Sequence, residues 1–259
     1  MGFFGWKAYL NCKSYETITR DAVEKNNVTD LSKIQLKKLA DMLSLGLYSG
    51  YDEVVEEQKK QLERQGLLKK RAIDFTLYFT GVVGLVLLLY FVMTLQEFTI
   101  VLSLSGLIAL AIGLFSPIMM MSIHKEVQYL GDVVLMMESK GVLGSIAKLF
   151  EKNDYVVGGA LLLFSIIFPL LKTFSMLFIA LFIRNSSAHA VVHFFKLLGK
   201  WSMADVFVVA TFLVYLSAGK GEMSRAEIQV GLYFFLAYVI LSMLASLSAD
   251  KMLQENKTA

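Results

Sequence analysis

Five stretches of this chain lack the charges that would keep them in water. Phe98–Ile123 and Ile228–Leu247 contain no charged residue at all. Ile73–Leu95 carries only Asp74, Val156–Ile183 only Lys172, and Trp201–Ala218 only Asp205. Each run is near the roughly 20 residues that a helix needs to cross about 30 Å of hydrocarbon. A backbone in lipid must satisfy its own N–H and C=O groups, so such runs dictate membrane-spanning helices. The expected fold class is therefore all-α, a polytopic helical membrane protein. Composition agrees: 56% of residues are hydrophobic and the mean hydropathy is +0.59, above the soluble norm of roughly half apolar.

The placement of charge says more than the net +3. Lys69, Lys70 and Arg71 abut the first apolar run, and Lys59, Lys60 and Arg64 lie just upstream. The positive-inside tendency puts that N-terminal region in the cytoplasm. Met1–Leu10 has one basic residue and no long apolar core, so it does not read as a signal peptide. Residues 1–72 are expected to stay with the protein as a polar helical region. Asp30 is placed to cap a helix carrying Leu31, Ile34, Leu39, Met42 and Leu43, and Gly50 to separate it from a second, Asp52–Lys70. This region reads as a solvated or membrane-resting helical pair, or as a docking surface. One cysteine, Cys12, excludes an internal disulfide and any all-cysteine metal site. No basic-aromatic spacing points to nucleic acid.

Between the first two spans Gln96 and Glu97 are the only polar break, which predicts a tight turn. A longer loop, His124–Asp154, is expected to fold against the membrane, and Gly219–Glu227 reads as a short polar loop. Phosphate-binding, protease and transferase motifs are missing, so neither an enzyme nor a cofactor is expected. His189 and His193 have metal-compatible spacing but no third ligand nearby in sequence, and no metal is expected. Met119–Met121 reads as lipid-facing or packing material.

The informative residues are those that do not belong in a bilayer. A charge at mid-membrane costs at least a few kcal/mol and normally faces protein or water with a partner. Lys172 lies about 16 Å of helix rise from Ile183, and Asp205 about 6 Å inside Trp201. The connecting loop returns both ends to one side, so a Lys172–Asp205 pair is geometrically reasonable. Ser165, Thr173, Ser175, Ser202 and Thr211 are candidates to extend it into a polar cluster. A structural reading competes: Lys172 snorkels and Asp205 caps a helix start. Pro117 and Pro169, the only prolines, both fall in apolar runs. In a continuing helix they deprive the carbonyls of Gly113 and Ser165 of donors and kink it, which lipid does not tolerate without nearby hydroxyls or a hydrated interior.

Four segments together resemble the paraquat-inducible protein A family. KWSMADVFVVATFLVYL is similar to the WSMxDVF opening of its third helix, and LFSPIMM to the proline-containing end of its first. LFEKNDYVVGGALLLFSIIFPLLKTFSMLFI resembles its second helix with PLLK intact, and GLYFFLAYVILSMLASLSAD its fourth. The resemblance implies a four-helix transmembrane domain over residues 98–250. Around it would stand a helical region at 1–72, an extra span at 73–97 and a polar tail at 251–259. It further implies an inner-membrane component of a Gram-negative lipid-trafficking system, working on membrane phospholipid with an MCE-domain periplasmic partner. By motif, Lys172, Ser202 and Asp205 would belong to a polar pocket that Pro117 and Pro169 help to shape.

Two departures stand out. Family members with zinc ribbons need CxxC pairs, which a chain with one cysteine cannot supply. Members with two transmembrane domains also contrast with the single copy here, so a homo-oligomer would restore two units. The extra span creates a conflict as well. The family orientation puts the loop before WSM in the cytoplasm, the basic flank puts the N-terminal region there too, and five full crossings cannot satisfy both. Either Ile73–Leu95 does not cross, or the N-terminal region is periplasmic, or the domain is inverted. Besides lipid transport, a non-transporting membrane scaffold and a proton-coupled small-solute transporter fit the residues.

Overall fold

The computed structural model describes residues 1–25, 50–127, 131–182 and 224–258. The helix expected from Asp30, the histidines 189 and 193, and the Trp201–Ala218 span lie outside them. Within the described residues the chain is an all-α polytopic membrane protein with a small sheet at one end. Among the described residues, four helical stretches are long and apolar enough to cross a bilayer: Lys59–Phe91, Leu95–Phe115, Tyr155–Leu181 and Val230–Met252.

Helix α1, Gly2–Lys25, buries Gly5, Ala8, Cys12, Tyr15 and Thr19, a stripe at helical spacing. Helix α2, Gly50–Leu88, is continuous from its polar half into the apolar run, so the boundary expected at 72/73 falls inside it. Between Asp52 and Lys70 the sequence is dominated by good helix formers, and only Gly66 interrupts, so nothing stops the helix at the membrane edge. A short 3₁₀ turn, Leu89–Phe91, leads to Thr94, which caps helix α3, Leu95–Phe115. Thr94 Oγ1 accepts from the Glu97 N–H and Glu97 Oε2 accepts from the Thr94 N–H at 3.2 Å. This capping box is why Gln96 and Glu97 lie in the first helical turn rather than in the turn between spans.

Pro117 does not kink a continuing helix, as its sequence position suggested. The residue before a proline is pushed toward extended backbone. Ser116 takes that conformation (φ −78°, ψ 146°), and α3 ends there with the Ser116 N–H on the Ile112 carbonyl. The expected span to Ile123 therefore closes at Phe115, and the Gly113 carbonyl belongs to the helix end, where open carbonyls are normal. Strand β1, Met119–Val127, follows at once and pairs antiparallel with β2, Gly131–Lys140, from Met119↔Lys140 to Val127↔Gly131. On its other side β1 pairs antiparallel with β3, Ser224–Ile228, giving the order β2-β1-β3. The loops expected at His124–Asp154 and Gly219–Glu227 thus supply much of a three-stranded sheet. Met119 and Met120 are buried in it.

Helix α4, Val142–Glu151, leads into α5, Tyr155–Leu162, a π turn at Leu163–Ile167, and α6, Phe168–Phe182. Pro169 cannot donate and crowds the Ser165 carbonyl. The widened turn just before it, with the Phe168 N–H reaching back five residues to the Leu163 carbonyl, absorbs the mismatch. Helix α7, Val230–Thr258, completes the bundle.

Close contacts set the direction of each helix. Lys69 of α2 is paired with Glu227 beside the start of α7, at 2.8 Å. Phe79 packs edge-on against Phe234, and Leu87 and Tyr90 line a cleft with Leu247 and Lys251. Helix α2 therefore runs alongside α7 for the full depth of the bundle, as a crossing Ile73–Leu95 run would. Helix α3 runs the opposite way, with Thr99 beside Ser248 and Gly113 beside Phe235. The polar half of α2, the β1–β2 hairpin and β3 share one end; the α2–α3 turn, the end of α6 and the C-terminal turns of α7 share the other. Of the three ways out of the topological conflict, this packing speaks against non-crossing. Helix α1, the polar half of α2 and the strands β1 and β2 lie at the same end of the bundle.

Two outcomes follow. With Cys12→Ala as background, Lys60→Cys and Lys140→Cys are labelled by a membrane-impermeant maleimide from one side, and Glu97→Cys and Glu255→Cys from the other. A side chain at Gly231 would place its Cβ 2.6 Å from the Pro117 carbonyl oxygen. Gly231→Ala is expected to cost about 1–3 kcal/mol of stability. Gly144→Ala, on a helix with nothing within 4 Å, instead gains up to about 1 kcal/mol, both read by thermal unfolding in detergent.

Candidate functional site

Lipid tails are as apolar as leucine, so transmembrane helices associate through close packing and hydrogen bonds rather than hydrophobic transfer. The facing surfaces of α3 and α7 have the required small residues. Gly106, Ala109 and Gly113 of α3 meet a face of α7 that includes Phe235, Tyr238, Leu241 and Ala245. Hydroxyls are interspersed on those faces, and they make a buried polar seam where α6 joins.

Lys172, 6% exposed, sits on α6 and donates from Nζ to Ser242 Oγ on α7 at 3.4 Å. Its neighbour Thr173 donates to the Pro169 carbonyl at 2.9 Å and shares a 3.2 Å bond with the Tyr238 hydroxyl. The hydroxyl of fully buried Tyr238 also lies 2.9 Å from that carbonyl, and with one hydrogen on each hydroxyl two of these three contacts are donated at once. The PLLKT turn is thus tied to α7 at two successive residues. Toward the α2–α3 turn, Thr99 donates to the Leu95 carbonyl at 2.7 Å, and the single hydrogen of Ser248 serves either Thr99 Oγ1 at 2.8 Å or that carbonyl at 3.4 Å. Gln96 Nε2 reaches the Ala180 carbonyl of α6 at 2.8 Å. One turn along α3 from Thr99, the buried Ser103 hydroxyl has no hydrogen-bond partner among the described residues.

The residues singled out from sequence divide clearly. Lys172, Thr173 and Pro169 come together against α7. Ser165 is buried in the π turn four residues before Pro169. Ser175 donates to the Leu171 carbonyl of its own helix at 2.6 Å and has no described bond into the seam. Pro117 lies at the sheet end, away from the seam. Asp205, Ser202 and Thr211 are outside the described residues. Sequence reasoning missed Tyr238, Ser242, Ser248, Thr99 and Gln96. The signal was present in the last span, where Tyr238 and Ser242 stand four apart on the face that also carries Ala245 and Ala249.

At the sheet end, α1 is anchored by Cys12, whose thiol donates to Gln229 Oε1 at 3.5 Å. Burial pushes that thiol up from 9.0 to about 12, so it stays neutral and unreactive. Burial and the charge on Glu227 likewise push the Tyr15 phenol up to about 12.

Residues 96–254 match the paraquat-inducible protein A family, more than half of the chain. The chain belongs to that family. A protein of Haemophilus influenzae named "Probable intermembrane transport protein" is 25% identical over 118 residues. That match covers 43% of this chain and 28% of the relative's length, so the chain spans well under two thirds of it. The seam falls inside the family region, whereas α1 and α2 precede it.

Tyr238→Phe removes both bonds of the phenol to the PLLKT turn and is expected to cost about 0.6–1.7 kcal/mol, the range for hydroxyl bonds between membrane helices. Thr173→Val should be partly redundant with it. A double-mutant cycle on thermal unfolding in detergent checks this, and strictly additive losses would show that the hydroxyls do not cooperate.

Proposed function

We propose that this family member is the membrane subunit of a phospholipid-transport system of the bacterial envelope. In this reading it is seated in the inner membrane, is not an enzyme, and works with an MCE-domain partner. The observation that carries the proposal is a cation buried among hydroxyls inside the bundle: Lys172 with Ser242, beside Thr173 and Tyr238. A charge in the bilayer costs several kcal/mol and is kept where it meets a substrate or a partner. The anion that a membrane supplies is the lipid phosphodiester, and lysine with hydroxyl donors is suited to phosphate oxygens. Asp205, if it joins the cluster as the sequence suggests, balances the lysine between cargoes. The relative's name supports movement between membranes, and lipid is the cargo that a helix bundle can accept sideways from the bilayer. The β1–β2–β3 end is the natural place for a periplasmic partner, because there folded polypeptide stands clear of the spans. A scaffold reading draws on the long polar half of α2, and the same assay separates the two.

In a deletion strain, Lys172→Met is expected to lose barrier function against detergents and hydrophobic antibiotics while elution and expression stay as in the parent. Phospholipid co-purifying with the protein, counted by mass spectrometry, should drop about tenfold, the cost of one charged hydrogen-bond partner. Lys152→Met, on an exposed residue, behaves as the parent. Full barrier function with undiminished lipid in Lys172→Met would sink the proposal.

A further inference from the structure

Where α1 meets α2 at the membrane edge, a second cavity of about 340 Å³ opens, lined by Lys7, Asn11, Arg71, Asp74, Phe75 and Tyr78. Lys7 and Asn11 are four apart on α1; Arg71, Asp74, Phe75 and Tyr78 form one stripe on α2 at spacings of three, one and three. All six precede the family region, so the N-terminal helices build this cavity by themselves.

Its level in the membrane follows from its neighbours. Asp74 is the second residue of the first apolar run, and three basic residues precede that run directly. On the hydrocarbon side, Phe4 meets Tyr78 at 5.9 Å, and Leu77 is 68% exposed. Phe3 and Trp6, also exposed, place an aromatic belt around the site. The cavity therefore lies at headgroup depth, with charges toward water and rings toward the acyl chains.

The charges define what fills it. Lys7 and Arg71 are cationic and Asp74 anionic, and all three are exposed. Among the described residues no ion pair within 4.0 Å joins any of them to another group. Arg71 and Asp74 stand at i, i+3, neighbours on one helix face, with the base preceding the acid. Asn11 spends its Nδ2 on the Lys7 carbonyl at 2.8 Å, which leaves Oδ1 as an acceptor. A ligand of one sign satisfies only part of this set. A ligand carrying a phosphodiester and a primary ammonium a few bonds apart satisfies all of it: phosphate on Lys7 and Arg71, ammonium on Asp74 and Asn11, glycerol and chains along Phe75 and Tyr78. A quaternary ammonium has no hydrogen to donate to Asp74, and an anionic glycerol headgroup faces it with nothing positive.

We propose that α1 and α2 form a headgroup site for a zwitterionic glycerophospholipid with a primary amine, phosphatidylethanolamine in kind. The site goes beyond the transport reading and does not depend on it, because its residues are remote in sequence from Lys172 and its test is binding alone.

The test is native mass spectrometry of the full-length protein from micelles doped with phosphatidylethanolamine, phosphatidylcholine or phosphatidylglycerol at equal mole fraction. The parent should retain phosphatidylethanolamine over each of the others. Asp74→Asn should abolish that preference, about a tenfold change in the ratio. Arg71→Gln and Lys7→Gln should weaken phosphatidylethanolamine and phosphatidylglycerol alike. Helical circular dichroism and monodisperse elution establish folding, and Asn11→Ala stands in for any variant that fails. Equal retention of the three lipids by the parent, or an unchanged ratio in Asp74→Asn, would overturn the proposal. So would displacement by inorganic phosphate as effective as by phosphoethanolamine, which would make this a phosphate site. Lys152→Met, an exposed charge outside the cavity lining, retains the preference, and its loss there would overturn the assignment to α1 and α2.

Discussion

The contact between α3 and α7 is the joint on which the other elements hang. Within a bilayer no hydrophobic gain drives two helices together, so they must approach closely enough for dispersion and hydroxyl bonds to accumulate. Gly113 permits this at one end, where a Cβ would lie 3.1 Å from the Phe235 nitrogen, and Gly231 permits it where α7 begins beneath Pro117. Thr99 and Ser248 close the other end. With those two helices fixed, α2 lies along α7, α6 ties its PLLKT turn to Tyr238, and the three strands gather at the end where α3 stops.

That end shows how one residue determines local architecture. Pro117 forces Ser116 out of the helical region, so the chain leaves α3 already extended and enters β1 within two residues. The ladder then continues into the helix ends: the Gln229 N–H bonds to the Ile118 carbonyl and the Gly231 N–H to the Pro117 carbonyl. Carbonyls that would otherwise be stranded at a helix terminus are met by the start of α7. Helix α1 seals the junction with Cys12 on Gln229, and Lys69 of α2 reaches Glu227. The N-terminal addition is therefore packed onto the family domain rather than tethered to it.

The two polar features differ in depth and in chemistry. The seam around Lys172 is buried between helices, where low dielectric strengthens each bond and makes an unmatched charge costly. The cavity around Arg71 and Asp74 is at the bilayer edge, where charge is tolerated and aromatic rings settle naturally. The chain thus presents polar groups at two levels, one within the matched family region and one built by its N-terminal helices.

The membrane class and four of the five apolar helices were legible because they depend on local composition: a charge-free run of sufficient length has only one way to satisfy its backbone in lipid. The effect of Pro169 was legible in kind, since a missing donor must distort any helix, though the π turn that absorbs it was not. Pro117 was misread for a specific reason. Apolar residues continue past it to Ile123, and hydropathy does not distinguish a lipid-facing helix from a buried strand such as Met119–Met120. The partners of Lys172 and Thr173 on α7, the common end shared by the hairpin and the N-terminal region, and the cavity between α1 and α2 depend on which faces meet across long sequence separations. Residue types by themselves determined that this chain lives in a membrane and that its two prolines must disturb the helices they touch. Only the packing of α3 on α7 decided which polar groups meet, because a hydrogen bond between helices depends on register and distance, and neither is written in any single segment.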